Sequence, residues 1–257
     1  EVEPEYGALA CGEMGRGRLS SPERVVQVTL RILSRTDGPL QGQRALVTSG
    51  ATREHIDPVR FLSNSSTGAF ALACADELHL AGADVTVIAA PSVPDEELQR
   101  RGYPYVRVGS CEEMLSAVKQ FKDIVNILLM LGAVADYKPP YHPQKIKKDE
   151  NQKIPLELER TPDILDSLKE GKIGIKIGVA LETENVEANA RAKLEAKHLD
   201  AIIPVILSEN ESPFGNNPMK AGILTARGSV TPIEMRTKHE LARQVLHLIC
   251  ELLSSKE

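Results

Sequence analysis

The chain has 257 residues, of which 42% are hydrophobic and 26% charged, a composition close to that of ordinary globular proteins. Its formal net charge of −5 excludes a general basic field for a nucleic-acid backbone, and its aromatic content of 4% excludes an extensive stacking platform for bases. No apolar run approaches the ~18 residues that a membrane-spanning helix needs. We therefore expect a globular protein that binds neither nucleic acid nor membrane, with any anion site formed locally.

The cysteines and the first residue bear on where the chain works. Cys11, Cys74, Cys111 and Cys250 are scattered without a C-x-x-C pair. This usage suits a reducing cytoplasm better than a disulfide framework or a zinc site. The chain starts at Glu1 rather than Met, and no signal-peptide pattern follows. We expect a cytoplasmic chain that was processed or excised from something longer.

The N-terminal part differs from the rest in glycine content and in hydrophobic periodicity. Residues 1–20 are rich in glycine and show little periodicity. Ser21-Pro22-Glu23 predicts a helix start, and the turn sequence at 36–39 predicts its end. We therefore predict a linker at 36–43 and a division into residues 1–38 and 39–257.

After this boundary, short apolar runs alternate with helical patterns, two of which open with a capping box at Ser110 and at Thr237. A polar loop at 208–220 precedes a predicted hairpin at 222–235. The alternation predicts an α/β fold, a Rossmann-like, doubly wound, mostly parallel sheet with helices on both faces and a mixed edge. Ligands bind beyond the carboxyl ends of the strands in such sheets. The strands are predicted at 44–48, 84–90, 105–108, 124–131, 154–158, 173–181 and 201–207, and the other helices at 67–80 and 185–198.

Small polar residues follow the first strand of the main part, at 48–54 and again at 63–68. Such residues before a helix could present amides and hydroxyls to an anion, or simply cap an ordinary loop. Neither a Rossmann G-x-G-x-x-G nor a Walker G-x-x-x-x-G-K-[ST] motif is present. The segment alone leaves both interpretations open.

Charged residues mark three further positions. Asp136 follows the apolar run at 124–131, where it could face a ligand or cap the turn into the next prolines. Lys145 and Lys147 point the same way in an extended segment, so KIKK at 145–148 could grip a polyphosphate or be a solvated face. Helical spacing places Lys193 and Lys197 on the inward face, either aimed at a nucleotide or reaching out to water.

Three enzyme classes find little support. Tyr141 and Lys145 have the spacing of a short-chain dehydrogenase pair, but the neighbouring prolines exclude the helix that such a pair needs. The six histidines are dispersed, without a metalloprotease H-E-x-x-H motif, and no G-x-S-x-G elbow occurs. We expect no metal bound by protein side chains.

The ordered motifs ALVTSGATREHIDPVRFLSNSSTG (45–68), AVADYKP (133–139), KIKK (145–148), TPDIL (161–165) and ALETENVEANARAKLEAKHLD (180–200) resemble phosphopantothenate–cysteine ligase, an enzyme of coenzyme A biosynthesis. The resemblance extends over about 39–257 and includes the 208–220 loop, which matches a flexible lid. It implies that the carboxylate of 4′-phosphopantothenate attacks CTP, forming an acyl-cytidylate that the amine of L-cysteine then opens. Mg²⁺ would accompany the triphosphate.

The resemblance also implies roles for individual residues. Asn64 and Lys145 match catalytic positions, Asn64 at the acyl intermediate and Lys145 at the triphosphate. Ser65 and Ser66 join Asn64 in the phosphopantothenate site. The nucleotide would be bound by Met130, Leu131, Gly132, Asp136, Lys145, Thr161, Pro162, Asp163, Ile164, Val179, Lys193 and Lys197.

Three positions depart from the family pattern. Ala69 stands where many relatives have Lys or Arg, which puts a phosphate contact in doubt. Val179 replaces a common Phe, and Thr161 replaces the usual Asn. Ala69 and Val179 leave one alternative open, a non-catalytic nucleotide-binding or regulatory module of the same fold. A second alternative, an unrelated nucleotide-dependent enzyme such as a dehydrogenase, is opposed by the missing glycine motif.

The N-terminal residues carry a second resemblance. GALACGEMGRGR at 7–18 resembles the end of phosphopantothenoylcysteine decarboxylase, with Cys11 at the position of its protonating cysteine. Because the flavin-binding region is absent, we expect no FMN and no decarboxylase activity. The resemblance implies the ligase half of a bifunctional protein, which favours CTP over ATP. It also implies a homodimer formed through a sheet extension, for which 154–158 is the candidate.

Overall fold

The computed structural model describes residues 2–147, 155–168, 172–208 and 212–255. Fourteen strands lie within these ranges: β1 (Glu5–Ala8), β2 (Met14–Arg18), β3 (Arg44–Ser49), β4 (Arg53–His55), β5 (Phe61–Ser63), β6 (Asp84–Ala89), β7 (Tyr105–Arg107), β8 (Ile127–Met130), β9 (Tyr137–Lys138), β10 (Glu159–Arg160), β11 (Ile175–Glu182), β12 (Ala201–Ile206), β13 (Met219–Thr225) and β14 (Gly228–Arg236).

The helices in the same ranges are α1 (Pro22–Asp37), α2 (Ala69–Leu80), α3 (Asp95–Arg101), α4 (Cys111–Phe121), α5 (Val186–Ala196) and α6 (Lys238–Ser254), with a 3₁₀ turn at Asp166–Leu168. Both predicted N-caps are present. Thr237 and Glu240 exchange reciprocal bonds, whereas Ser110 caps α4 by accepting from the amide of Glu113 at 3.3 Å. The Glu113 carboxylate instead accepts from the amide of Gly109, so this second capping box is incomplete.

Eight strands form the central sheet in the order β14-β13-β12-β11-β8-β3-β6-β7. The six strands from β12 to β7 are parallel, and β13 and β14 add an antiparallel edge. The chain leaves β3 for β6 and β7 on one side and then returns to β8 on the other. The carboxyl ends of β3 and β8 therefore mark the switch point, where open α/β sheets bind ligands.

Each face of the sheet is covered by helices, as predicted. On β8, Ile127 and Leu129 face the core formed with α2 and α6, while Leu128 and Met130 face the core formed with α4 and α5. The four side chains are almost completely buried. This explains why the strand reads as a continuous apolar run rather than an alternating one.

Other parts of the chain differ from the sequence expectation. Residues 155–158 form no strand, so the predicted strand at 154–158 is wrong over its described part, and Ile154 lies outside the described residues. The short strand β10 follows instead and pairs with β9. The hairpin of β1 and β2 was missed, because alternating glycines hide its pattern.

No helix in the described part of the chain is long and apolar enough to cross a membrane. The hydrophobic residues of α2 and α6 pack against each other and against the central sheet.

Candidate active site

A buried hydroxyl fixes the loop that follows β8. Thr48, at the end of β3, accepts hydrogen bonds from the amides of Leu131 at 3.1 Å and Gly132 at 2.9 Å. Its own hydroxyl donates to Met130 Sδ at 3.5 Å. The predicted nucleotide segment at 130–132 is therefore held rigidly, and since two of its amides already have partners, its carbonyl groups are what it can offer a base.

The loops after β3 and β8 continue side by side beyond the sheet. Ala133 donates its amide to Gly50 O at 2.8 Å, and Ala51 and Ala133 form an isolated parallel bridge. The buried Thr52 hydroxyl accepts from the amide of Ala135 at 3.0 Å. Because other backbone groups and the Thr52 hydroxyl satisfy these amides, the two loops are joined into one floor at the switch point.

Asn64 joins the predicted substrate site to this floor. Its exposed side chain donates to the carbonyl oxygens of Ala133 at 3.3 Å and Val134 at 3.2 Å. Ser63 ties the same segment to Thr52 O at 2.7 Å. The structure therefore brings Asn64 next to the loop after β8, although the two are about seventy residues apart in sequence.

The start of α2 completes this side of the site. Its N-cap is Gly68 at φ 78°, with no side-chain cap and no acidic residue in the first turn. Ser66 accepts from the Gly68 amide at 3.3 Å, while Ser65 is exposed. A helix N-terminus with uncapped amides is a favourable place for an anion, even with Ala69 rather than a cation in its first position.

The turn at 161–164 packs against the loop after β8. Thr161 donates its hydroxyl to Ala135 O at 2.6 Å and its amide to Asp136 O at 3.0 Å. Pro162 O accepts from the buried Cys111 thiol at 3.4 Å, and Ile164 is buried in the core with α4 and α5. Asp136 therefore uses its backbone to hold Thr161, which leaves its exposed carboxylate open to the site.

The two lysines of α5 have different environments. Lys197, just after the helix, places Nζ 2.6 Å from Asp163 Oδ2 and 3.0 Å from Asp166 Oδ2. The hydrogen bond to Asp163 is the main cause of its raised pKa. Lys193 is exposed, while Ala190 and Leu194 are buried. Lys197 is thus half-buried against the turn at 161–164, whereas Lys193 reaches water, the other interpretation that helical spacing left open.

The remaining predicted site residues lie apart from these contacts. Lys145 and Lys147 are exposed on the segment after β9, and Lys148 lies outside the described residues. Val179 of β11 is half-buried against the core formed with α2 and α6. Among the described residues, no group of three or more His, Cys, Asp or Glu could hold a metal ion.

One buried cation was missed by the sequence analysis. Lys238 opens α6, and its ammonium donates to Pro213 O at 3.0 Å and Asn217 O at 2.5 Å. It thereby anchors the described part of the predicted lid, of which 209–211 lie outside the described residues. Burial lowers the pKa of Lys238. The only sequence signal was a lysine at a helix N-terminus, where the helix dipole disfavours it.

A cavity of about 330 Å³ lies elsewhere, between β4, the start of α4 and the segment after β9. Lys138 and Glu112 form an ion pair of 2.6 Å at its wall. None of the residues expected at the active site lines this cavity, and its lining mixes both charges. The candidate site is therefore taken at the switch point, where the hydrogen bonds above join the loops after β3 and β8.

Comparisons with known proteins identify the family of the chain. The family described as DNA/pantothenate metabolism flavoprotein C-terminal domain matches residues 40–253. The chain is 36% identical over 255 residues to the coenzyme A biosynthesis bifunctional protein CoaBC of Bacillus subtilis (strain 168), covering 98% of this chain and 62% of that protein. It is 34% identical over 261 residues to a cysteine/cysteine sulfinic acid decarboxylase of an unknown prokaryotic organism, covering 98% of this chain and 71% of that protein.

A solved structure supports the same family and fold. The crystal structure of the C-terminal domain of a coenzyme A biosynthesis bifunctional protein CoaBC is 32% identical, with a TM-score of 0.65, and the match covers 85% of this chain and all of that one. The Rossmann-like fold is thereby confirmed, and so is the family resemblance that the sequence motifs carry. The chain belongs to the family of DNA/pantothenate metabolism flavoprotein C-terminal domains.

Proposed function

We propose that the chain is a CTP-dependent phosphopantothenate–cysteine ligase of coenzyme A biosynthesis. The observation that carries the proposal is the pair of hydrogen bonds from Asn64 to Ala133 O and Val134 O. These bonds join the segment around Asn64, for which we propose phosphopantothenate binding, to the loop after β8, for which we propose nucleotide binding. A reaction that joins a carboxylate to a nucleotide phosphate requires such an adjacency.

The chemistry proceeds in two steps. The pantothenate carboxylate attacks the α-phosphate of CTP, pyrophosphate leaves, and an acyl-cytidylate forms. The amine of L-cysteine then attacks the acyl carbon, releases CMP and loses a proton, giving 4′-phosphopantothenoylcysteine. Activation is needed because a free carboxylate has no usable leaving group.

The predicted site residues divide this work. Lys145 offsets charge on the triphosphate, with Lys193 and Lys197 adding cations from the side of α5. Asn64 orients the acyl group, with Ser65 and Ser66 near the phosphate of the substrate. The cytosine ring lies at the end of β8 against the carbonyl groups of 130–132, and the turn at 161–164 with Asp136 and Val179 closes its pocket.

Magnesium enters on the nucleotide. The described residues contain no cluster of side chains suited to a resident metal. The exposed oxygens of a triphosphate are themselves good Mg²⁺ ligands, and Mg²⁺ usually retains several waters. The ion would neutralise part of the charge that develops on pyrophosphate, and the lysines would neutralise the remainder.

The proposal extends to a longer protein. The chain spans 62% of the Bacillus relative, which is named bifunctional. We assign residues 1–38 to the end of a decarboxylase half and 39–257 to the ligase. The exposed Cys11, in the turn between β1 and β2, is then a residue of that other half's site. We further propose a cytoplasmic homodimer without FMN in this part.

Pyrophosphate release tests the proposal. The chain is incubated with 4′-phosphopantothenate, L-cysteine and Mg²⁺, together with CTP or ATP in parallel. Release with CTP alone is the expected result, and release with ATP alone would contradict the nucleotide assignment. Absence of release with both nucleotides would favour the non-catalytic module of the same fold.

Two further arms make the assay specific. Lys145→Gln should abolish pyrophosphate release, while Lys119→Gln, an exposed lysine on α4, should leave it unchanged.

Because one relative is named a cysteine/cysteine sulfinic acid decarboxylase, carbon dioxide is measured from cysteine without nucleotide. Carbon dioxide without pyrophosphate release would assign the chain to that other reaction.

A further inference from the structure

A fully buried carboxylate contacts the segment that carries Lys145 and Lys147, and it has no role in the steps above. Asp57 is 0% exposed, in the turn between β4 and β5. Its Oδ1 accepts from the amides of Val59 at 2.8 Å and Arg60 at 2.9 Å. These two bonds close the local turn, as Asp side chains commonly do. They use only one of its two oxygens.

The second oxygen of Asp57 faces a distant segment. Oδ2 accepts from the amide of Ile146 at 3.1 Å and lies 2.7 Å from Arg60 Nη2. The same guanidinium nitrogen donates to Ile146 O at 2.5 Å. Both backbone polar groups of Ile146 are therefore held by this acid–base pair, across 89 residues of sequence.

The neighbours of Ile146 are the lysines assigned to the triphosphate. Lys145 and Lys147 are exposed on either side, while Ile146 is half-buried. Fixing the backbone of the middle residue fixes the points from which both lysine side chains leave. A second bond, from the amide of His142 to Ile56 O at 2.8 Å, ties the start of the segment to the same turn.

The charge of Asp57 persists at neutral pH. Burial alone would raise its pKa, but the amides of Val59, Ile146 and Arg60 and the Arg60 charge together lower it from 3.8 to about 2. A charge-assisted bond to a backbone amide is stronger than a neutral one. Asp57 therefore accepts from the Ile146 amide as a carboxylate at neutral pH.

We propose that Asp57 is a positioning residue for the nucleotide's phosphates, acting through the backbone of Ile146 on Lys145 and Lys147. This inference rests on the proposed function. A carboxylate so close to a polyphosphate site would repel the ligand if it were exposed. Buried and paired with Arg60, it orders the cations without meeting the phosphates.

A double-mutant cycle on CTP binding tests the inference. Asp57→Asn keeps the shape but places an amide against the donors of Ile146 and Arg60, so we expect CTP to bind about tenfold more weakly. In a Lys145→Gln/Lys147→Gln background the same change should add little, since Asp57 acts through these two lysines. A turn with a merely structural role would instead give equal effects in both backgrounds, which would overturn the inference.

Two further variants distinguish a loss of positioning from a folding defect. Ile146→Pro removes the amide donor but leaves the 56–60 turn intact, and it should also weaken CTP binding. Asp123→Asn, an exposed carboxylate after α4, should not. Hydrogen exchange at the Ile146 amide should quicken in Asp57→Asn. Wild-type binding of CTP by both Asp57→Asn and Ile146→Pro would refute the positioning role.

The same experiments separate this inference from the proposed function. If the wild-type chain neither binds CTP nor releases pyrophosphate, the ligase proposal fails and the positioning role falls with it. If the wild-type chain does both and the Asp57 variants bind CTP unchanged, only the positioning role fails.

Discussion

Lys197 and Asp163 form an ion pair across the candidate site, with Nζ and Oδ2 2.6 Å apart. The pair connects the end of α5 to the turn at 161–164, and Asp166 adds a second carboxylate at 3.0 Å. Lys197 therefore has two functions in the proposed enzyme. It holds the turn that closes the nucleotide pocket, and it reduces the negative charge that an incoming triphosphate meets.

Replacing Lys197 should affect nucleotide binding far more than folding. The side chains of Lys197 and Asp163 are 20% and 46% exposed, and such pairs contribute at most about 1 kcal/mol to the free energy of unfolding. Lys197→Gln should therefore raise the KM for CTP several-fold with little change in Tm. Steady-state kinetics and thermal unfolding measure the two effects, with Lys119→Gln as the neutral control. A large fall in Tm with an unchanged KM would show that the pair is purely structural.

Replacing Asn64 should separate the two chemical steps. In Asn64→Asp, a carboxylate would face the carbonyl oxygens of Ala133 and Val134, to which the amide now donates at 3.3 and 3.2 Å. The side chain must turn away, so the acyl group loses its orientation while the triphosphate contacts remain. We expect a burst of pyrophosphate followed by slow formation of product and CMP.

Rapid-quench measurements with radiolabelled substrate distinguish the steps in Asn64→Asp. Gln120→Glu, an exposed amide-to-acid change on α4, is the matched control and should behave as wild type. If Asn64→Asp lost the pyrophosphate burst itself, Asn64 would belong to the first step and its assignment would be wrong.

The sequence predicted the parallel sheet because its strands are buried on both faces and read as apolar runs. β8 is the clearest case, since all four of its residues are buried. Pairing between distant polar groups left no such pattern. The contacts of Thr48 with 131–132 and of Asp57 with Ile146 join residues more than eighty positions apart, so only the folded chain could identify them.

Roles for the site residues came only from motif resemblance. Composition and spacing left Asp136 to face a ligand or to cap a turn, and left Lys145 and Lys193 each with a functional and a solvated interpretation. Resemblance favoured function, and the structure then distinguished the half-buried Lys197 from the exposed Lys193. Neither residue spacing nor motif resemblance identified Lys238. Its role depends on two carbonyl groups of a loop whose course the sequence does not specify.

A close approach at Gly68 should make this position intolerant of any side chain. Gly68 has φ 78°, and a Cβ there would lie 2.5 Å from Ser49 Oγ, 2.7 Å from Val93 Cγ2 and 2.9 Å from Gly50 N. Gly42 has nearly the same φ, 77°, but no atom within 4 Å of such a Cβ. Gly42→Ala should therefore cost only the left-handed penalty of about 1–2 kcal/mol.

Gly68→Ala should cost clearly more than Gly42→Ala, because the backbone of the substrate loop must move. Urea unfolding of both variants measures the difference, and the binding of 4′-phosphopantothenate should weaken only in Gly68→Ala. Equal losses of stability in the two variants would mean that backbone conformation alone sets the requirement for glycine at position 68.

Asp57 should also shape the response of the protein to acid. Its pKa in the folded chain is about 2, below the ordinary value of 3.8. A carboxylate whose folded pKa is lowered contributes stability that is complete above its unfolded pKa and is lost as pH falls toward its folded pKa. The difference in the free energy of unfolding between wild type and Asp57→Asn should therefore be constant above about pH 5 and shrink between pH 4 and pH 2.

Urea titrations at each pH measure this free energy for both proteins. Subtracting one from the other cancels the contributions of Glu97 and Glu240, whose pKa values are also lowered by hydrogen bonds. Asp123→Asn should show no such window, and a difference for Asp57→Asn that stayed flat from pH 5 to pH 3 would contradict the charged, amide-bound state of Asp57.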